Sequence, residues 1–181
     1  MKDMLGRDAV VTVETAREIF DKNFTLPEIP SEDISITDAA GRVIAKDIVS
    51  PVDLPDFSRS SMDGYAVRAQ DTFGATESLP AYLQIIGEVL MGEEPAIVIN
   101  KGTAARISTG GMLPKGADAV VILEHTQTID KNSIEALYSV APGENVVQVG
   151  EDIKKGEMLV KKGHKIRPQD IGAFAGIGID R

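Results

Sequence analysis

A chain of 181 residues with 43% hydrophobic content can build one or two domains around a real core, but only 4% of it is aromatic and it lacks Trp, so aliphatic side chains must fill that core. The formal charge of −9 and the sequence pI of about 4.7 argue against a phosphate-tracking nucleic-acid surface, yet leave room for a small anion held by a few local donors. The chain has no cysteine, which excludes disulfides, thiolate metal sites and a cysteine nucleophile and agrees with a cytoplasmic location. No apolar run approaches the ~20 residues of a membrane helix, and no apolar segment follows Met1-Lys2-Asp3-Met4, so neither a membrane nor a secretory route is expected.

In chain order, Thr12 is placed to cap a helix from Val13 to about Phe24, with Val13, Ala16, Phe20 and Phe24 on one face. Pro27 and Pro30 end that segment. Ile34-Ser35-Ile36-Thr37 alternates like a strand, Asp38-Ala39-Ala40-Gly41 breaks it, and β character resumes over Val43 to Val49. A long irregular stretch from Ser50 to Gly64 follows, of the kind that often carries function. Short strands are predicted at Tyr65–Arg68, Tyr82–Val89, Ala104–Ser108, Ala119–His125 and Ile134–Val140, then Val146–Val149 and Met158–Val160. Pro168 opens a second helix that reaches about Ala175. The pattern is α+β and strand-rich, without regular βαβ alternation.

Three motifs can carry chemistry. In Ser61-Met62-Asp63-Gly64-Tyr65-Ala66-Val67, Asp63-Gly64 is a tight-turn dipeptide leading into a strand, where Gly64 can take a positive φ. Asp63 either caps its own turn through an Asx-type bond or faces a cleft from the strand entrance, and spacing alone favours the cap. In Ser108-Thr109-Gly110-Gly111, which ends another strand, successive glycines allow backbone N–H groups to converge into an anion nest, with the Ser108 and Thr109 hydroxyls as further donors and Arg106 and Lys115 as nearby charge. The ordinary alternative is a glycine-rich hairpin. Gly150-Glu151-Asp152-Ile153-Lys154-Lys155-Gly156 is a charged turn in which Asp152 is either a site carboxylate or part of a solvated tip. His125 and His164 lack partners at metal or triad spacing and read as structural or surface residues. Lys161, Lys162, Lys165 and Arg167 read as a solvated basic face.

Taken together and in order, these motifs resemble the molybdopterin molybdenumtransferases, a family that includes the enzymatic domain of gephyrin. Ser61-Met62-Asp63-Gly64-Tyr65-Ala66-Val67 is similar to the family's Ser-Ala-Met-Asp-Gly-Tyr-Ala-Val signature. Ile107-Ser108-Thr109-Gly110-Gly111 with Pro114-Lys115-Gly116-Ala117-Asp118-Ala119-Val120-Val121 is similar to its Thr-Gly-Ala and Pro-x-Gly-Ala-Asp-Ala-Val-Val block. Gly150-Glu151-Asp152-Ile153 matches its Gly-Glu-Asp-Ile turn. The departures are Arg59-Ser60-Ser61, where the family often has Asn before Ser-Ala-Met-Asp, and Gly111 in place of the alanine of Thr-Gly-Ala.

The resemblance implies an elongated discontinuous domain from residues 1–50 and 141–181, with a compact β-rich domain, residues 51–140, inserted into it. It implies insertion of molybdate into adenylylated molybdopterin with release of AMP, dependent on Mg2+. It further implies a homodimer whose cleft is completed by C-terminal domains that lie beyond this sequence, including the α/β domain that binds the pterin; this piece alone is then expected to be inactive. Asp63, Thr109 and Asp152 are the implied catalytic residues, with Asp63 and Asp152 positioning Mg2+ through water. Ser61, Met62, Gly64, Ser108, Gly110 and Gly111 are the implied substrate contacts. The alternative is a non-catalytic scaffold or binding module of the same ancestry that acts with a partner in trans. A loose similarity of residues 150–163 to a lipoyl or biotinyl carrier hairpin is a weaker alternative.

Overall fold

The computed structural model describes residues 10–25, 27 and 29–181; the Met1-Lys2-Asp3-Met4 start, with the reading that no leader follows it, lies outside them. The chain divides into two compact units, residues 1–34 and residues 35–181. In the first, α1 spans Val13–Asn23. The Thr12 hydroxyl accepts the Thr15 backbone N–H at 3.2 Å, satisfying one of the orphan donors of the first turn. Phe20 and Phe24 stack on one face with ring centroids 4.9 Å apart, as helical spacing requires.

In the second unit the elements are β1 (Ile48–Val49), β2 (Arg59–Ser60), β3 (Gly64–Val67), β4 (Ala81–Val89), β5 (Thr103–Ile107), β6 (Ala119–Ile122), β7 (Thr126–Asp130), β8 (Ser133–Ala136), β9 (Val146–Val147), β10 (Met158–Val160) and α2 (Pro168–Gly176). Six strands form one sheet in the order β6-β3-β5-β4-β8-β7. All neighbours are antiparallel except β4 and β5. Two small pairs, β1 with β10 and β2 with β9, join early residues to late ones. No helix among the described residues is long and apolar enough to cross a membrane.

The period of two along each strand sorts the core onto both faces of the sheet. Tyr65, Val67, Ala104, Ala119 and Val121 pack on one face with Leu83, Ile134 and Ala136. Ala66, Ala105, Ile107 and Val120 pack on the other with Val89, Ile99 and Val146. This explains why β3 and β6 are apolar at successive positions: strands covered on both sides have no polar face. Each fully buried Val or Ile contributes about 1.5–3 kcal/mol, so the middle of the sheet is its most stable part.

Several elements differ from the sequence reading. Ile36–Asp38 is a turn of 3-10 helix rather than a strand, because the Ser35 hydroxyl caps it by accepting the Thr37 N–H. Only Ile48–Val49 of the predicted 43–49 strand is regular, with Val43 bridging Lys165. The predicted 119–125 strand stops at Ile122 and continues as a 3-10 turn over Leu123–His125. The predicted 134–140 strand ends at Ala136, and β7 was not foreseen at all.

α2 begins at Pro168, as predicted, and its first turn is secured by Asp170. The buried Asp170 carboxylate accepts the Arg167 backbone N–H at 2.8 Å, the Arg167 guanidinium at 2.8 and 3.0 Å, and His164 Nε2–H at 2.7 Å. The Arg167 guanidinium, then His164, hold this carboxyl far below the usual range. A group with a depressed folded pKa stabilises the fold above its unfolded pKa, roughly 4, and that contribution is lost as pH falls. Stability should therefore decline on acidification below pH ~5. Asp170→Asn should show a visibly smaller decline over the same interval in urea midpoints; equal slopes would remove Asp170 as a source of the acid sensitivity.

Candidate functional site

The register of the sheet brings the first two motifs together. Gly64, Tyr65 and Ala66 of β3 face Ile107, Arg106 and Ala105 of β5. Continued one step, the ladder sets Asp63, just before β3, beside Ser108, just after β5. Asp63 Oδ1 accepts the backbone N–H of Thr109 at 2.7 Å and its hydroxyl at 3.0 Å. Asp63 therefore does not cap its own turn; its carboxylate closes a contact 46 residues away in sequence. Those two bonds, the N–H first, and the charge of Arg106 keep its carboxyl below the ordinary aspartate range, so it is anionic at neutral pH. Asp63 is exposed, and among the described residues its other oxygen, Oδ2, accepts no hydrogen bond.

The loop that presents Asp63 is tied down at each residue. Ser60, almost fully buried, donates its hydroxyl to the Met62 carbonyl and accepts the Met62 N–H at 3.2 Å. The Ser60 N–H donates to the Gly111 carbonyl at 2.9 Å, and the Ser60 carbonyl accepts the Gly110 N–H at 2.7 Å. The Ser61 N–H donates to the Asn145 carbonyl at 3.0 Å, and the Asp63 carbonyl accepts the Leu123 N–H at 3.1 Å. Ser60 and Asn145 are site residues that the sequence reading missed. Ser60 immediately precedes the motif's Ser61, and its burial distinguishes the two.

Two expectations need correction. Gly64 does not adopt a positive φ. It is required because a Cβ there would lie 2.1 Å from the Val121 carbonyl oxygen of β6. The Thr109-Gly110-Gly111 run is also not an open anion nest. Its three N–H groups donate to Asp63 Oδ1, the Ser60 carbonyl and the Ser108 carbonyl. Gly110 does hold a left-handed φ of 84°, so the backbone has the turn that glycine permits, but the donors face inward. Ser61 and Ser108 are exposed, and among the described residues their hydroxyls have no hydrogen-bond partner. The outward donors of the site are thus those hydroxyls and the exposed Arg106. Met62 is 41% exposed beside Asp63. A notch lined by Phe57, Gly92, Glu93, Glu94, Gly110 and Met112 flanks the same turn.

Asp152 lies on a separate turn. Its backbone N–H and that of Ile153 donate to the Leu54 carbonyl at 3.0 and 3.1 Å, and Asp53 Oδ1 accepts the Lys155 N–H at 2.9 Å. The Asp152 side chain is exposed and no hydrogen bond joins it to Asp63 or Thr109. Among the described residues no group of three or more His, Cys, Asp or Glu side chains is placed to hold a metal. Of the histidines, His125 packs its ring against Tyr138 at 4.6 Å between centroids, and His164 holds Asp170.

Known proteins place the chain. Molybdopterin molybdenumtransferase of Haemophilus influenzae is 32% identical over 170 residues, a match covering 94% of this chain and 41% of that protein. Molybdopterin molybdenumtransferase 2 of Mycobacterium tuberculosis is 36% identical over 146 residues, covering 81% of this chain and 36% of that protein. Two crystal structures of the molybdopterin biosynthesis MoeA protein of Pyrococcus horikoshii superpose with TM-scores of 0.78 and 0.82 at 42% and 43% identity, covering 82% and 94% of this chain but 39% and 43% of those chains. The chain spans about two fifths of the length of these relatives. The family model for the MoeA N-terminal region, domains I and II, matches residues 11–178, and the chain belongs to that family.

Proposed function

We propose that this chain is the N-terminal part of an enzyme that inserts molybdate into adenylylated molybdopterin and releases AMP. The observation that carries the proposal is the Asp63–Thr109 contact, which fixes one exposed, charged carboxylate at the point where the family's two most specific motifs meet. Molybdate and the adenylyl phosphate are both anions, so a carboxylate beside them needs a cation between. Magnesium, a hard ion that takes oxygen ligands and keeps several waters, is the cation this reading calls for. Asp63 Oδ2 and the exposed Asp152 carboxylate are the groups that would hold it through water. When bound, it would neutralise phosphate charge. Thr109 keeps Asp63 ionised and oriented. Ser61 and Ser108 offer hydroxyls to substrate oxygens, and Arg106 offers charge. Met62, Gly64, Gly110 and Gly111 shape the edge of the site rather than donating to it.

The reading extends to architecture. The reading places residues 1–50 and 141–181 in a discontinuous domain around an inserted domain of 51–140. Within the second unit, the ladder joining Arg42 and Ile44 to His164 and Ile166, with β1 against β10, supports the part of it that pairs residues 42–49 with 158–166. The pterin-binding wall of the cleft would come from further domains of the longer protein, in a cytoplasmic homodimer, so this piece alone would not turn over. In the full-length enzyme Asp63→Ala should lower kcat by at least about 100-fold, the scale of one preorganised electrostatic group. Unchanged molybdate insertion by that variant would remove Asp63 from the reaction.

A further inference from the structure

Asn145 is the one described non-glycine residue in the left-handed region, at φ 59°. Among the described residues eleven glycines hold φ between 69° and 88°, so glycine is this fold's usual solution where a turn demands that conformation. Asparagine tolerates it better than other side chains but still at some strain. What it offers in return is its amide. Asn145 Nδ2 donates to the Val120 carbonyl of β6 at 2.9 Å, while the Asn145 carbonyl accepts the Ser61 N–H at 3.0 Å. The next residue, Val146, pairs with Ser60 in the β2–β9 ladder. Val120 in turn faces Ala66 of β3, the strand that Asp63 and Gly64 open.

One residue therefore spans the gap between the sheet and the loop that presents Asp63. Its side chain grips β6, and its main chain grips the residue two before Asp63. Thr109 approaches the Asp63 carboxylate from the end of β5 and the Leu123 N–H holds the Asp63 carbonyl just beyond β6, and Asn145 adds a grip on Ser61 to these. A glycine at 145 would give the turn and keep the Val120 N–H on the Glu144 carbonyl at 3.1 Å, but would lose the side-chain grip on the Val120 carbonyl.

We propose that Asn145 is a positioning residue of the Asp63 site, setting the distance of the Ser61–Asp63 loop from β6 so that the Asp63 carboxylate meets Thr109. This rests on the reading that Asp63 belongs to the functional site, but its geometry is testable apart from that reading. The experiment is backbone amide exchange by NMR on the 181-residue chain carrying Asn145→Gly, which keeps the left-handed φ and removes the amide. Exchange at Ser61 and Thr109 should rise about tenfold, the scale of one lost hydrogen bond, while amides of the β7–β8 hairpin stay protected. Asn145→Asp, which keeps the side-chain shape and loses the donor, serves as the second variant and should raise the same two amides. In the full-length enzyme the expected counterpart is a lower kcat at nearly unchanged KM. Parent-like exchange at Ser61 and Thr109 in both variants overturns the proposal. Raised exchange together with full activity in Asp63→Ala would retain the clamp and discard the site reading instead.

Discussion

Gly64→Ala should destabilise the second unit by about 3 kcal/mol or more. An alanine normally gains ~0.5–1 kcal/mol over glycine in a strand through chain entropy. Here the added methyl would sit 2.1 Å from the Val121 carbonyl oxygen, 2.9 Å from its carbon and 3.0 Å from the Ile122 Cα, all backbone atoms of the adjacent strand. No rotamer relieves contact with a backbone. Either β3 and β6 separate, with loss of their ladder, or β3 shifts against β5 and carries Asp63 away from Thr109. Overpacking of this kind costs about 1–3 kcal/mol and more when the neighbour cannot move, against a total stability of ~5–15 kcal/mol for a domain. The clash wins over the entropy gain. Urea unfolding gives the answer when Gly172→Ala is run beside it. Gly172 lies inside α2 with nothing within 4 Å of its added Cβ and no positive φ. That change should stabilise by up to ~1 kcal/mol. A Gly64→Ala midpoint equal to the parent's would show that the two strands are not held as closely as described.

Ile107→Ala should destabilise by about 2–5 kcal/mol, the range for truncating a fully buried aliphatic residue. Ile107 is 1% exposed and packs with Val89, Ile99, Ala105 and Val120. It also ends β5, immediately before the Ser108–Gly111 turn, and its side chain fills the space that a Cβ on Gly111 would need, with Ile107 Cγ1 at 2.8 Å. The cavity would therefore open beneath the site rather than in a neutral part of the core. Amide exchange at Thr109 and Gly110 should accelerate beyond the global loss of stability, whereas exchange in β8 should follow the global loss. Uniform acceleration would mean that the turn is held by its hydrogen bonds alone and owes nothing to the side chain below it.

The sequence made visible what depends on local pattern. Thr12 before an apolar face and Pro168 before Gln169-Asp170 marked both helices, because caps and first-turn prolines act within a few residues. The strands buried on both faces showed as apolar runs at Tyr65-Ala66-Val67 and Ala119-Val120-Val121. β7 escaped notice because Thr126-Gln127-Thr128-Ile129-Asp130 is an edge strand with almost no buried residue, so burial imprinted no alternation on it. Ile34-Ser35-Ile36-Thr37 misled because the same letters serve a hydroxyl-capped turn. At the site, Asp63 and Thr109 were legible as members of motifs, but their contact was not, since it depends on the β3–β5 register. The partners of the Thr109-Gly110-Gly111 N–H groups and the reason for Gly64 are likewise facts about neighbouring strands. Asn145 carried no signal beyond its tolerance of the left-handed region.

The pairing of early with late residues has a consequence for how the chain is made. The Ile36 N–H donates to the Asp180 carbonyl at 2.9 Å, Gly41 and Ile44 bond to Ile166 and His164, and Ser50 bonds to Glu157. On a ribosome adding ~5–20 residues per second, residues 36–50 emerge on the order of ten seconds before any of these partners exists. The six-stranded sheet between them can close during that interval, while the earlier segment stays unpaired with its amides in water. Completion of the second unit thus waits for residues 157–180, and a ribosome stalled before residue 157 would leave residues 36–50 without these partners.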